Sequence, residues 1–128
     1  MWDRIDCQYA DTCIVRITEL TNFAWDRMYV FSYRATRDDI RKSLGVELPQ
    51  YTEFTRKIVF LKEGKVIHSE EYPSNVEGLM NGEVVFDIPD NSVHKDYTPD
   101  TAVFNVTRRN FEKGVWFELK QKNDAPSN

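Results

Sequence analysis

Hydrophobic and polar positions alternate along most of this chain with the two-residue period of a β-strand, and one short stretch switches to helical spacing. Between residues 13 and 20, Cys13, Val15 and Ile17 fall on one face and Ile14, Arg16 and Thr18 on the other. Between Trp25 and Tyr33 the faces are Trp25, Arg27, Tyr29, Phe31, Tyr33 and Asp26, Met28, Val30, Ser32. Hydrophobes on both sides predict a central strand, covered by a helix. Thr36 then supplies a hydroxyl N-cap, Asp38 and Asp39 place negative charge in the first helical turn, and Gly45 stands where a left-handed C-cap belongs. Ile40 and Leu44, four apart, share the face this helix must bury. At about two turns it has no stability of its own in water, so packing on a sheet has to hold it.

Two hairpins follow. The runs 54–61 and 65–72 flank Lys62-Glu63-Gly64, a tight turn with glycine available for positive φ. The runs 101–108 and 115–122 are joined through Arg109 to Gly114. Between the hairpins, Pro73-Ser74-Asn75 breaks the ladder, residues 83–88 form a further strand after Asn81-Gly82, and residues 91–100 read as an irregular loop. No repeat or linker separates two domains. The pattern predicts an α+β fold: an antiparallel sheet of about five to seven strands packed against one short helix at residues 37–44. Residues 1–122 are expected to form one domain, and the polar stretch 123–128 a disordered tail.

Composition changes this picture in two ways. Of 128 residues, 13% are aromatic, so large rings supply much of the core or of an exposed surface. The 21 acidic residues outnumber the 17 basic ones, and the net charge of −4 argues against nonspecific binding of nucleic acid or of an anionic membrane. A basic protein partner is electrostatically easier. No apolar run is long enough for a transmembrane segment, and the first six residues lack the basic-then-apolar pattern of a signal peptide. Cys7 and Cys13 are close enough in sequence to close a small disulfide loop if the chain turns back between them, with two unlinked thiols as the alternative. A bond there would imply an oxidising compartment.

Candidate chemistry is sparse. His68 falls on a predicted strand in phase with Val66, which favours a packed residue over a catalytic base. His94 lies in the expected loop near Asp90 and Asp96. No nucleophile-elbow pattern accompanies any serine. The cysteines and histidines lack the paired spacings of a zinc site. Asp87, Asp90, Asp96 and Asp100 lack the spacing of a calcium loop. The glycines form no phosphate-cradling motif, so no metal, nucleotide or other cofactor is expected. Glu70 and Glu71 point to opposite faces of a strand and cannot act as an acid–base couple. Arg56, Lys57, Arg108 and Arg109 read as a solvated basic face, and Asn105-Val106-Thr107 as a chance glycosylation match. What remains is aromatic surface. Trp2, Tyr97, Phe111 and Trp116, at ends, loops and hairpins, are the candidate anchors for a partner, with core packing as the competing reading.

The segment from Phe23 to Phe31, then Tyr33, Asp39-Ile40, Leu44-Gly45 and Ile58 to Val66, resembles small uncharacterised bacterial envelope proteins, secreted or lipoprotein-like, over about residues 20–70. The resemblance implies a periplasmic or cell-envelope setting, with the cytoplasm as the alternative, and carries over no catalytic residue. The chain departs from a lipoprotein pattern in showing no lipid-modified first cysteine. The expected function is a non-enzymatic protein-binding domain, in a narrower form an inhibitor or immunity protein. The alternatives are a small hydrolase or ligand-binding protein using His94 with Asp96 or Asp90, and a structural envelope module.

Overall fold

The computed structural model describes residues 1–5, 7, 12–73, 80–89 and 92–122. The expected turn at Ser74-Asn75, the loop aspartate Asp90 and the tail 123–128 lie outside them. The fold is α+β, and the strands form two four-stranded sheets where one larger sheet is expected. The chain divides into two compact units: one from segments 1–22, 80–87 and 100–128, the other from 23–79 and 88–99.

In the first unit, strands β1 (Thr12–Arg16), β7 (Val103–Phe111), β8 (Gly114–Gln121) and β5 (Val84–Phe86) lie in the order β1-β7-β8-β5. β7 and β8 form the expected hairpin, longer at the turn than its hydrophobic pattern indicates, with Phe111 opposite Gly114. β1 pairs antiparallel with β7, whereas β5 runs parallel to β8, with Val84 opposite Phe117. The residues expected to continue β1 instead form a short 3-10 turn, Ile17–Glu19. Phe104, Val106, Leu119 and Val84 are fully buried, and the Phe86 ring packs edge-on against Trp2 and Phe104, at 5.8 and 5.1 Å between centroids. Cys7 and Cys13 are joined by a disulfide, with their Cα atoms 5.1 Å apart.

The second unit holds β4 (Lys65–Tyr72), β3 (Arg56–Lys62), β2 (Arg27–Phe31) and β6 (His94–Tyr97), antiparallel throughout and in the order β4-β3-β2-β6. β2 is central, as its two-faced hydrophobicity predicts. Helix α1 (Arg37–Leu44) starts on a capping box, in which the Thr36 hydroxyl accepts from the Asp39 N–H and the Asp39 carboxylate accepts from the Thr36 N–H. These bonds hold the Asp39 carboxyl below its ordinary range. Gly45, at φ +78°, closes the helix in the left-handed conformation.

Ile40 and Leu44 pack with Leu48 and Ala35 onto Phe31, Val59 and Leu61, the face of β2 and β3 that alternation turns toward the helix. On the other face Met28, Val30, Ile58 and Phe60 are buried as well, with Phe23 and Trp25 edge-on to Phe60. The β3–β4 turn is the two-residue Glu63-Gly64, both at positive φ, the geometry that matches strand twist. The Glu63 N–H is held by the Asp26 carboxylate at 2.8 Å. A β-bulge follows: Leu61 faces Val66 and Phe60 faces His68, which leaves Ile67 without an opposite number.

Candidate functional site

The second unit carries a cleft of about 450 Å³ between two loops, lined by Tyr33, Arg34, Ala35, Thr36, Arg37, Tyr51, Glu53 and Phe54. One wall is the connection from β2 to α1. The other is the segment that leads into β3. Buried Ala35 and Leu48 tie both segments to the core beneath α1, and the Tyr51 hydroxyl reaches the Ala35 carbonyl at 3.5 Å. Two cations approach the Tyr51 ring: Arg37 from the helix start, at 4.8 Å, and Lys57 from β3, at 4.4 Å.

Lys57 is the polar residue the sequence reading misplaces. Expected on a solvated face, its side chain is 1% exposed. Its position opposite Phe31 explains the difference, because alternation places it on the helix-facing side of the sheet. Its ammonium turns back to donate to the Thr52 carbonyl, the Thr55 carbonyl and the Thr55 hydroxyl at 2.8–3.0 Å, with Glu71 Oε2 at 3.5 Å. That carboxylate also accepts from the Thr52 N–H at 2.7 Å and lies 3.2 Å from the Thr55 hydroxyl. Burial pushes the Lys57 pKa down, opposed by the nearby Glu71 charge. Burial alone would raise the Glu71 carboxyl, but the Thr52 hydrogen bond, the Lys57 charge and the Thr55 hydroxyl outweigh it and leave it below its ordinary range. The Lys57–Glu71 pair is therefore a clamp on the loop 52–55.

What the clamp holds is Phe54. Its backbone sits at φ +60°, a conformation that costs a bulky L-residue about 1–2 kcal/mol, and its ring is 68% exposed. Tyr33, across the cleft, is 44% exposed. Arg34 is tethered to the Ser92 carbonyl at 3.1 Å. The result is a pair of exposed rings beside two guanidinium groups, with Glu53 as the one carboxylate among the lining residues.

The sequence-derived anchors go elsewhere. Trp2 and Tyr97 are core residues, 7% and 2% exposed. Phe111 and Trp116 are half-buried on the β7–β8 hairpin, Phe111 at its tip and Trp116 opposite Arg109. The basic residues Arg56 and Lys57 belong to one sheet and Arg108 and Arg109 to the other, and Lys57 is buried. His94 lies on β6 and not in an irregular loop: backbone pairing with β2 makes this a strand although its side chains show little hydrophobic alternation. Its ring stands 5.9 Å from Tyr29 and 5.6 Å from Phe31, with Asp96 Oδ1 4.0 Å away. The other oxygen of Asp96 is bonded to Arg27 at 2.5 Å. His68 pairs with Glu70 at 2.7 Å, Glu70 also accepts from the Tyr72 hydroxyl, and the His68 ring rests beside Phe23 and Phe60. Both histidines are thus engaged in packing and short-range pairing, and neither is among the residues that line the cleft. Among the described residues, no group of three or more histidines, cysteines or acidic residues could hold a metal ion, and no helix is long and apolar enough to cross a membrane.

Sequence signals for the cleft were present in part. Tyr33 closes the run that starts at Trp25, Tyr51 lies just before the run 54–61 and Phe54 opens it, positions where a ring is not committed to core, but nothing local reveals the positive φ at Phe54 or the buried ammonium behind it. No protein-family model, curated protein or solved structure matches this chain.

Proposed function

We propose that the protein is a non-enzymatic protein-binding domain that docks a partner segment in the Tyr33–Phe54 cleft. The observation that carries this reading is Phe54, an aromatic residue kept in an unfavourable backbone conformation with its ring in solvent, over a buried polar clamp. Strain of this kind persists where the surrounding structure over-determines it, and it concentrates at ligand clamps and binding loops. Packing does not account for it, because the exposed ring contributes little to a core. Rigid loops that present aromatic and arginine side chains lose little entropy on association, and these are the residue types that dominate interface energetics.

An extracytoplasmic, envelope setting is part of the proposal. The Cys7–Cys13 bond supports it, since disulfides persist in oxidising compartments. An inhibitor or immunity role is the narrower form of the same reading.

Selection from a random peptide display library on the intact protein tests the docking role. Enriched peptides are expected to lose at least about tenfold in affinity for Phe54→Ala and Tyr33→Ala variants that retain the wild-type circular dichroism spectrum. Ligands that bind both variants as well as wild type would refute the assignment.

A further inference from the structure

We infer that the cleft recognises an acidic segment of its partner, in which an Asp or Glu side chain meets Arg34 and Arg37 while a neighbouring aromatic or aliphatic side chain lies against Tyr33 and Phe54. The inference rests on the docking role proposed above and adds the chemistry of the ligand.

Charge favours an acidic ligand in this cleft. The chain carries a net charge of −4, yet this cleft is lined by two arginines and a single carboxylate, Glu53. Behind the wall, Lys57 and Glu71 compensate one another at 3.5 Å, so this buried pair leaves the cleft's balance to its lining, two guanidinium groups against one carboxylate. A guanidinium matches a carboxylate in geometry and forms the stronger, charge-assisted class of hydrogen bond. The acidity of the whole chain acts over longer distances and is screened by salt, whereas a contact inside the cleft is decided by the groups that line it.

The positions of the two arginines favour it as well. Arg37 is the first residue of α1, and its guanidinium lies over the Tyr51 ring at 4.8 Å, while Arg34 is tethered to the Ser92 carbonyl. Both heads are thereby restricted before a ligand arrives, which lowers the entropy cost of engaging a carboxylate. The helix start itself is not the anion site, because the capping box already places the Asp39 carboxylate on it.

The size of the cleft limits what can enter. A volume of about 450 Å³ fits one large side chain and the adjoining residue, and does not fit a helix laid lengthwise. Glu53 further disfavours a run of several carboxylates, so one acidic residue beside one ring is the expected motif.

The test uses short peptides with blocked ends, so that no terminal carboxylate contributes: Gly-Trp-Glu-Gly, and the same peptide with Gln or Lys in place of Glu. Each is titrated into the isotope-labelled full chain and followed by amide chemical shifts. Saturable shifts at Arg34, Arg37 and Phe54 are expected with the Glu peptide, and binding about tenfold weaker with the Gln peptide. In Arg34→Gln/Arg37→Gln the preference for Glu over Gln should shrink to less than about twofold, and Glu53→Gln should tighten the Glu peptide. Equal or tighter binding of the Gln or Lys peptide at the same amides overturns the acidic assignment and leaves the docking role standing. The absence of shifts at these amides with every peptide also overturns it. The docking role falls separately, if display ligands ignore Phe54 and Tyr33.

Discussion

The Lys57 ammonium stands 3.5 Å from the Glu71 carboxylate beneath the loop that carries Phe54, and the two groups share Thr52 and Thr55 as partners. Neither charge is isolated, so the pair stabilises the loop chiefly by leaving no buried polar group unmet. Losing both members should therefore cost less than the two single losses added together. Lys57→Met is expected to lower stability by about 3 kcal/mol, Glu71→Gln by about 1, and the double variant by at least about 1 kcal/mol less than their sum. Urea titration of the four proteins measures the coupling, and strict additivity would show that the two side chains act independently.

Acid should weaken the same clamp. A carboxyl whose folded pKa is depressed contributes stability that is complete above its unfolded value, near 4.3, and is lost as pH falls through the folded value. Glu71 is such a group. The wild-type urea midpoint should fall on acidification below about pH 4, and Glu71→Gln should flatten part of that fall. An unchanged slope in the variant would remove Glu71 from the account.

Phe54 separates stability from binding. Glycine tolerates φ +60° without steric cost, so Phe54→Gly should leave stability unchanged or raise it by up to about 1 kcal/mol, while peptide binding at the cleft is lost. Thermal unfolding and the display-ligand affinity, measured on the same sample, check both halves. A clearly destabilised variant would mean that the exposed ring packs more than its surface exposure indicates.

At the β3–β4 turn, Glu63 holds φ +51° ahead of Gly64. Asparagine occupies that conformation more readily, and Asn-Gly is the favoured pair for this turn. Glu63→Asn should raise stability by about 0.5–1 kcal/mol, read from the urea midpoint, because the 2.8 Å bond to Asp26 uses the backbone N–H and survives the change.

The disulfide closes a short loop, with Cys7 and Cys13 separated by six positions. Replacing both by serine should cost about 2 kcal/mol, the low end for such bonds, and the first unit should still fold on its aromatic core. Alkylation of the wild type before and after reduction reports the bond itself; labelling without reductant would show free thiols.

Local pattern was sufficient for the strands β2, β3 and β4, the capped helix and both hairpins, because alternation, an N-cap hydroxyl and turn glycines act over a few residues. Thr36, Ile40, Leu44 and Gly45 have the roles their spacing implies. The partners of short strands were not legible in this way. β5 joins β8 in parallel and β6 joins β2, although neither carries a pattern that names its neighbour. The division into two four-stranded sheets is likewise a matter of pairing between distant segments.

The binding cleft shows the same boundary. Its residue types are visible along the chain, but their meaning depends on through-space facts: Lys57 turned inward opposite Phe31, Glu71 reaching the loop from the next strand, and Trp2 and Tyr97 committed to cores. Local order in this protein follows from short-range sterics and hydrophobic periodicity, which a linear string encodes. Which rings stay in water, and which charge is buried with a counter-charge, was decided by long-range packing, where desolvation and contact geometry depend on residues far apart in the chain.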